Sequence, residues 1–281
     1  MSPSGQADVL LSVRRLCKYF PILSAGLLRR QIGLVKACHD ISFELARGET
    51  LAIVGESGSG KSTLARTLLR VTEPTSGSAL FYASEPVDLA SASRRELARV
   101  RPELQMIFQD PQGSLNPRLT VQQIIGEPLV IQRRARGGEL EDRVTSMMRK
   151  VGLRPESRTR YPHAFSGGQR QRIGIARALI LEPSLVVADE AVSALDVSVQ
   201  AQIINLLCDL RDELGLTYLF IAHDLSVVRH IAQRVAVMTR GEIVECGETA
   251  RVFDEPQHEY TRQLLASVLD PDPDRRPPAA R

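Results

Sequence analysis

The chain has 281 residues, 43% of them hydrophobic and 25% charged, with a net charge of +3. That is enough to bury one substantial core or two small ones, and the charge is too slight to imply nucleic acid by itself. Four scattered cysteines without CxxC spacing, no legible signal-peptide core and no apolar run near ~18 residues lead us to expect reduced thiols in a cytosolic protein that sits beside a membrane, not across it.

The first predicted elements are strands at 9–16 and 41–45, the second clearly alternating, with a turn at Arg47-Gly48-Glu49. A buried-looking apolar run follows at 51–55 and ends on Gly55, and a helical pattern covers 62–70. Helical periodicity dominates 95–180, with helices predicted at 119–134, 138–151 and 169–181. Two further apolar runs, 184–189 and 217–223, end on Asp189 and His223 and flank a helical pattern at 199–214. The last strands are predicted at 234–238 and 243–246, hinged at Arg240-Gly241, and the proline- and charge-rich stretch 270–281 is expected to be disordered. Short runs without polar alternation suit strands buried on both faces, and their alternation with helices indicates an α/β layer around a parallel sheet. The N-terminal pair reads as an antiparallel flank and 95–180 as an inserted helical subdomain. Ligands of such sheets collect at the carboxyl ends of the strands, where Gly55, Asp189 and His223 fall.

Gly55-Glu56-Ser57-Gly58-Ser59-Gly60-Lys61-Ser62 fits G-x-x-x-x-G-K-S/T between a strand and a helix, with Thr63 next. Such a loop closes backbone N–H groups on phosphates at a helix N-terminus; Lys61 would reach the β- and γ-phosphates and the Ser62 hydroxyl would ligate Mg²⁺. Asp189 at a strand end can hold the same ion, and Glu190 is the better general base. An acidic pair after a strand is otherwise a helix cap, but a complete phosphate loop tips the balance. No Asn-Lys-x-Asp motif is present, which favours ATP over GTP. Gln109 could touch the metal or the attacking water, His223 the γ-phosphate, and Tyr19 or Phe20 the adenine. Each of these also has a bland reading: a surface glutamine, a structural histidine, a core aromatic.

A second glycine-rich stretch, Phe165-Ser166-Gly167-Gly168-Gln169, precedes the acidic strand, and Ser193-Ala194-Leu195-Asp196 follows it. In joint order these motifs resemble the ABC-transporter ATPases over nearly the whole chain. The match extends to importers of oligopeptides, dipeptides and, in some members, nickel. It does so through the glutamine loop at 108–117, the D-loop helix at 194–202, the segment from 26 to 37 and the tail His258-Glu259-Tyr260-Thr261. The resemblance implies an α/β P-loop NTPase domain over 7–262, with a RecA-like core at 7–94 and 181–250, a helical subdomain at 95–180 and an extension over 263–281. It also implies that Lys61, Ser62 and Asp189 bind Mg-ATP, that Gln109 couples the metal to membrane subunits, and that Phe20 stacks on adenine. Glu190 would activate water and His223 would hold it. Ser166 and Gly168, with Gly167, Gln169 and Asp196 beside them, would meet the nucleotide of a second ATPase subunit, identical or paralogous, through a helix beginning near Gln169. Two permease subunits, an extracytoplasmic solute-binding protein acting through them, and a peripheral place on the cytoplasmic face of the inner or plasma membrane complete the implied assembly. Nucleic acid is not among its partners, because the chain carries neither a second cassette, a long coiled coil nor a basic arm. Phe165, Ala191 and Glu259 depart from the family's usual leucine, proline and proline. No cysteine follows Cys246, so no iron–sulfur cluster is carried over.

Overall fold

The computed structural model describes residues 8–24, 30–83, 85–193 and 195–267. The resemblance at 26–29, Ala194 and the stretch 270–281 lie outside the described residues. Among the described residues no helix is long and apolar enough to cross a membrane.

Among the described residues, ten strands form two sheets. β1 (Val9–Leu23) and β2 (Gln31–Ala46) are longer than their apolar patterns, pairing antiparallel from Val9 opposite Ala46 to Leu23 opposite Gln31. Residues 31–37 are mostly exposed, so no core face stamps alternation on that half of the ribbon. β3 (Thr50–Val54) leaves this ribbon for the second sheet. β4 (Ser76–Tyr82) and β5 (Pro86–Asp88), which the periodicity does not mark, complete a four-stranded antiparallel sheet in the order β2-β1-β4-β5.

The second sheet adds β6 (Leu104–Ile107), β7 (Leu185–Asp189), β8 (Thr217–Ala222), β9 (Arg234–Thr239) and β10 (Glu242–Glu248) in the order β10-β9-β3-β8-β7-β6. All its pairs are parallel except β9 with β10. β6 lies inside the helix-rich stretch 95–180 and pairs with β7. Every residue of β3, β7 and β8 is buried, which is why their runs show no polar alternation. Successive side chains still point to opposite faces. Ala52, Val54, Tyr218 and Phe220 therefore enter one hydrophobic core, while Leu51, Ile53, Leu219 and Ile221 enter another. The parallel sheet is thus a middle layer with a core on each face.

The helices are α1 (Lys61–Leu68), α2 (Arg94–Val100), α3 (Pro111–Ser114), α4 (Val121–Ile131), α5 (Gly137–Lys150), α6 (Gly167–Leu179), α7 (Val197–Leu214), α8 (Leu225–Ile231), α9 (Thr249–Asp254) and α10 (Glu259–Ala266). Side-chain caps set several starts: Ser93, Thr120 and Ser166 each form a reciprocal capping box with a residue three positions on. α6 consequently begins two residues earlier than its apolar pattern predicts, and Gly167 and Gly168 form its first turn. α1 contributes Leu64, Ala65 and Leu68 to the core shared with the antiparallel sheet, whereas α4–α7 pack on the other face.

Phe220, wholly buried on β8 between two parallel neighbours, tests this layering. Phe220→Ala should lower the unfolding free energy in urea by about 3–5 kcal/mol. Val197→Ala, at a position 84% exposed, should change it by no more than about 0.5 kcal/mol. Similar losses at both positions would contradict the assignment of the core.

Candidate active site

Parallel register brings the site together. Val54 is level with Ala222, and Asp189 with Ile221, so Gly55, Glu190 and His223 leave the sheet along one edge.

The turn from β3 into α1 is made by glycines in conformations other residues avoid. Gly55, Gly58 and Gly60 have φ of 151°, 82° and 109°. A Cβ on Gly55 would lie 2.0 Å from the Met238 carbonyl oxygen of β9, and one on Gly60 2.0 Å from the Ala37 carbonyl oxygen of β2. No side chain caps α1, whose N-cap is Gly60, and a helix start of this kind favours an anion. Lys61 is buried, and its ammonium donates to the carbonyl oxygens of Gly55 and Glu56, both at 2.8 Å, and to Ser59 Oγ at 3.3 Å. Burial lowers its pKa, while Glu190, Asp189 and Glu56 act in the opposite sense.

Asp189 and Glu190 are neighbours in sequence with different surroundings. Asp189 is buried and accepts a hydrogen bond from Ser62 Oγ at 2.9 Å. Burial raises its pKa, against the stabilising bond from Ser62. Glu190 sits one step beyond β7 with φ of 47°, a left-handed conformation that a non-glycine residue adopts at a cost. The Ile221 carbonyl accepts its N–H at 3.0 Å, and Ser193 donates both its N–H and its hydroxyl to the Glu190 carbonyl at 3.1 Å. This turn aims the Glu190 carboxylate at two of the other sequence candidates, Gln109 and His223. Gln109 Nε2 donates to Glu190 Oε2 at 2.7 Å, and His223 Nδ1 lies 3.5 Å from the same oxygen. Gln109 is therefore joined to Glu190, and not directly to the Ser62–Asp189 pair.

The remaining sequence candidates divide into two groups. Ser166 accepts the N–H of Gln169, whose side chain in turn accepts the N–H of Ser166, so both serve as the cap of α6. Asp196 likewise caps α7 through the N–H of Val199. These two helix starts touch: a Cβ on Gly168 would lie 2.4 Å from Val199 Cγ1, and one on Gly167 would lie 3.6 Å from Leu195 Cδ2. Phe165 anchors the turn in the larger core. Phe20 is 40% exposed with the Lys18 ammonium 4.8 Å from its ring centroid. It pairs with Val35, two residues before the Ala37 carbonyl that abuts Gly60. The Tyr19 hydroxyl is engaged with His39 Nδ1.

Two residues to which the sequence assigned no role at the site also reach this machinery. Arg177 of α6 donates to the Ser114 carbonyl at 2.6 Å with its guanidinium 5.8 Å from the Phe108 ring, tying α6 to the loop that carries Gln109. The Tyr260 hydroxyl accepts the N–H of Glu56 at 3.1 Å. An arginine in a helical pattern and a tyrosine in a tail carry no periodic signal of such contacts.

A phosphate loop, an acidic strand end beside it and a separate helix start built on Ser166-Gly167-Gly168 define an ATP-binding cassette. The chain belongs to the ABC transporter family, whose model matches residues 38–193, and within it to the ATP-binding subunits of the oligopeptide/dipeptide importers, whose C-terminal region matches residues 244–281. It is 52% identical over 94% of its length to the oligopeptide transport ATP-binding protein AppF of Bacillus subtilis, of which it covers 80%. It is 53% identical over 97% of its length to the glutathione import ATP-binding protein GsiA of Salmonella typhimurium, of which it covers 43%. Among solved structures, the dimeric ATP-binding cassette MJ0796 bound to ADP and Pi matches with a TM-score of 0.74 at 27% identity, over 85% of this chain and 98% of that one. The protein is an ATP-hydrolysing subunit of an ABC importer.

The Met238 carbonyl above Gly55 leads to a direct expectation. Gly55→Ala should unfold in urea with a loss of at least about 2 kcal/mol, combining an unfavourable φ with a backbone collision. A variant as stable as the parent would mean that β9 yields to the added methyl.

Proposed function

We propose that Glu190 is the general base for attack of water on the γ-phosphate of ATP and that His223 and Gln109 hold the water and carboxylate in place. The observation carrying this reading is the convergence of Gln109 and His223 on one oxygen of Glu190, one residue beyond the aspartate paired with the phosphate loop. Water then attacks in line, the Glu190 carboxylate takes its proton, and the ADP β-phosphate leaves. Lys61 and the N–H groups from Gly58 to Thr63, with Glu56 and Ser57 completing the loop, offset charge on the transferred group. Ser62 and Asp189 are oxygen donors of the kind Mg²⁺ prefers, adjacent at 2.9 Å, and they would hold it with Gln109 nearby. Bound there, the ion would neutralise phosphate charge. Phe20 stacks on the adenine.

Two such subunits, identical or paralogous, close head to tail. Ser166, Gly167, Gly168 and Gln169 at the start of α6, with Asp196 beside them, face the γ-phosphate held by the partner subunit, where the helix N-terminus favours negative charge. The dimeric neighbour bound to ADP and Pi supports this arrangement. Two permease subunits place the protein on the cytoplasmic side of the membrane. A groove of about 1200 Å³ lined by Phe108, Gln109, Arg177 and Asp189 suits coupling of their motion to the site. The solute, delivered by an extracytoplasmic binding protein, is a peptide, as the names of the relatives suggest.

Glu190→Gln keeps the shape and removes the proton acceptor. Turnover should fall about 10²–10⁴-fold while ATP binding survives, and an ATP-dependent dimer should accumulate on gel filtration. Near-normal turnover would place the base elsewhere. The head-to-tail arrangement has its own test. An aspartate at Gly167 favours its own helix but repels an approaching phosphate, and its Cβ would meet only an ordinary 3.6 Å contact with Leu195. Gly167→Asp chains and Lys61→Ala chains should each be inactive, yet mixed dimers should regain hydrolysis, because one of their two sites carries both defects and the other none. Mixed dimers that form without recovering activity would refute action across the interface. If the natural partner is a paralogue, one mutation is placed on each chain.

A further inference from the structure

The segment after β10 is fixed to the body of the protein. On β10, Glu245 accepts the N–H groups of Gln257 and His258 at 2.9 and 3.0 Å. The His258 ring then accepts the N–H of Tyr260 at 3.1 Å, capping α10. Thr261 is buried, and Tyr260, Leu264 and Leu265 pack against the larger core. Held in this way, the Tyr260 hydroxyl accepts the N–H of Glu56 at 3.1 Å, across 204 positions of sequence.

That N–H belongs to the Gly55–Glu56 peptide, whose other polar end is the Gly55 carbonyl. The Lys61 ammonium donates to this carbonyl at 2.8 Å. One planar peptide unit thus links the tail to the phosphate lysine: hydroxyl to N–H on one side, carbonyl to ammonium on the other. Gly55 has no side chain of its own to fix this peptide, so the link adds an orienting restraint to the packing of the Met238 carbonyl on Gly55.

We infer that Tyr260 is a positioning residue for ATP binding, by which the C-terminal helix orients the Gly55–Glu56 peptide and through it Lys61. Without the hydroxyl the peptide turns more freely, the ammonium loses a fixed perch, and nucleotide must order the loop on binding. The effect falls on affinity and leaves the carboxylate that activates water untouched. The inference rests on the assignment of Lys61 to the phosphates.

Tyr260→Phe in the full chain removes the hydroxyl and keeps the ring packing. The Kd for ATP by calorimetric titration, and KM for hydrolysis, should rise about 3- to 10-fold, the scale of one neutral hydrogen bond. The kcat should stay within about twofold, because the bond is not one made in the transition state. In a Lys61→Ala background the same substitution should change Kd by less than about twofold, since coupled residues are not additive. Unchanged Kd and KM in Tyr260→Phe, or equal weakening in both backgrounds, would overturn the role of the tail while leaving the phosphate loop as assigned. A fall in kcat that tracks a fall in thermal midpoint would overturn it too, as plain packing. A Lys61→Ala chain that binds ATP like the parent would overturn the assignment of Lys61 itself, and this inference with it.

Discussion

Two backbone carbonyls, those of Met238 and Ala37, press on the phosphate loop so closely that no side chain fits on Gly55 or Gly60. Met238 belongs to the parallel sheet and Ala37 to the antiparallel one, so the loop is wedged between the two layers. A turn between a strand and a helix could take many shapes on a free surface. Here close packing removes the alternatives, and the N-terminus of α1 is held ready for an anion before any arrives. Lys61 rests in the cradle with its ammonium on the loop's own carbonyls, those of Gly55 and Glu56.

Adjacent carboxylates acquire different surroundings from one change in backbone direction. Asp189 is the last residue of a buried strand and keeps its side chain in the sheet's ordered edge, bonded to Ser62. Glu190 steps into a left-handed conformation and aims its carboxylate away, with its side chain 18% exposed, toward His223 and Gln109. The strain of that step is held by the Ile221 carbonyl and by Ser193. A structural pair with the phosphate loop and a polar group open to water thus sit side by side.

The second glycine-rich segment is built on other physics. Its serine and glutamine are engaged with each other as a helix cap, and its glycines make room for the start of α7. Arg177, near the far end of the same helix, holds the loop leading from Gln109. α6 therefore runs from the Ser166 turn to the glutamine loop, with the groove beside Gln109 at one end.

Motifs whose chemistry is local were legible in the sequence. Glycine spacing, the order of strand and loop, and unbroken apolar runs on β3, β7 and β8 follow from backbone freedom and two-sided burial, both of which act residue by residue. Caps shifted the helix starts by a residue or two, because reciprocal side-chain bonds at Ser166 and Gln169 outrank apolar periodicity. The long reach of β1 and β2, the short strands β4, β5 and β6, and the shared oxygen of Glu190 were decided by tertiary structure. Exposed ladder pairs leave no hydrophobic period, and a four-residue edge strand is too brief to show one. The contact of Tyr260 with Glu56 likewise needs α10 seated on the core before it exists. Sequence determines what each segment can do with its own backbone and neighbours; which distant groups meet depends on how the layers close over one another.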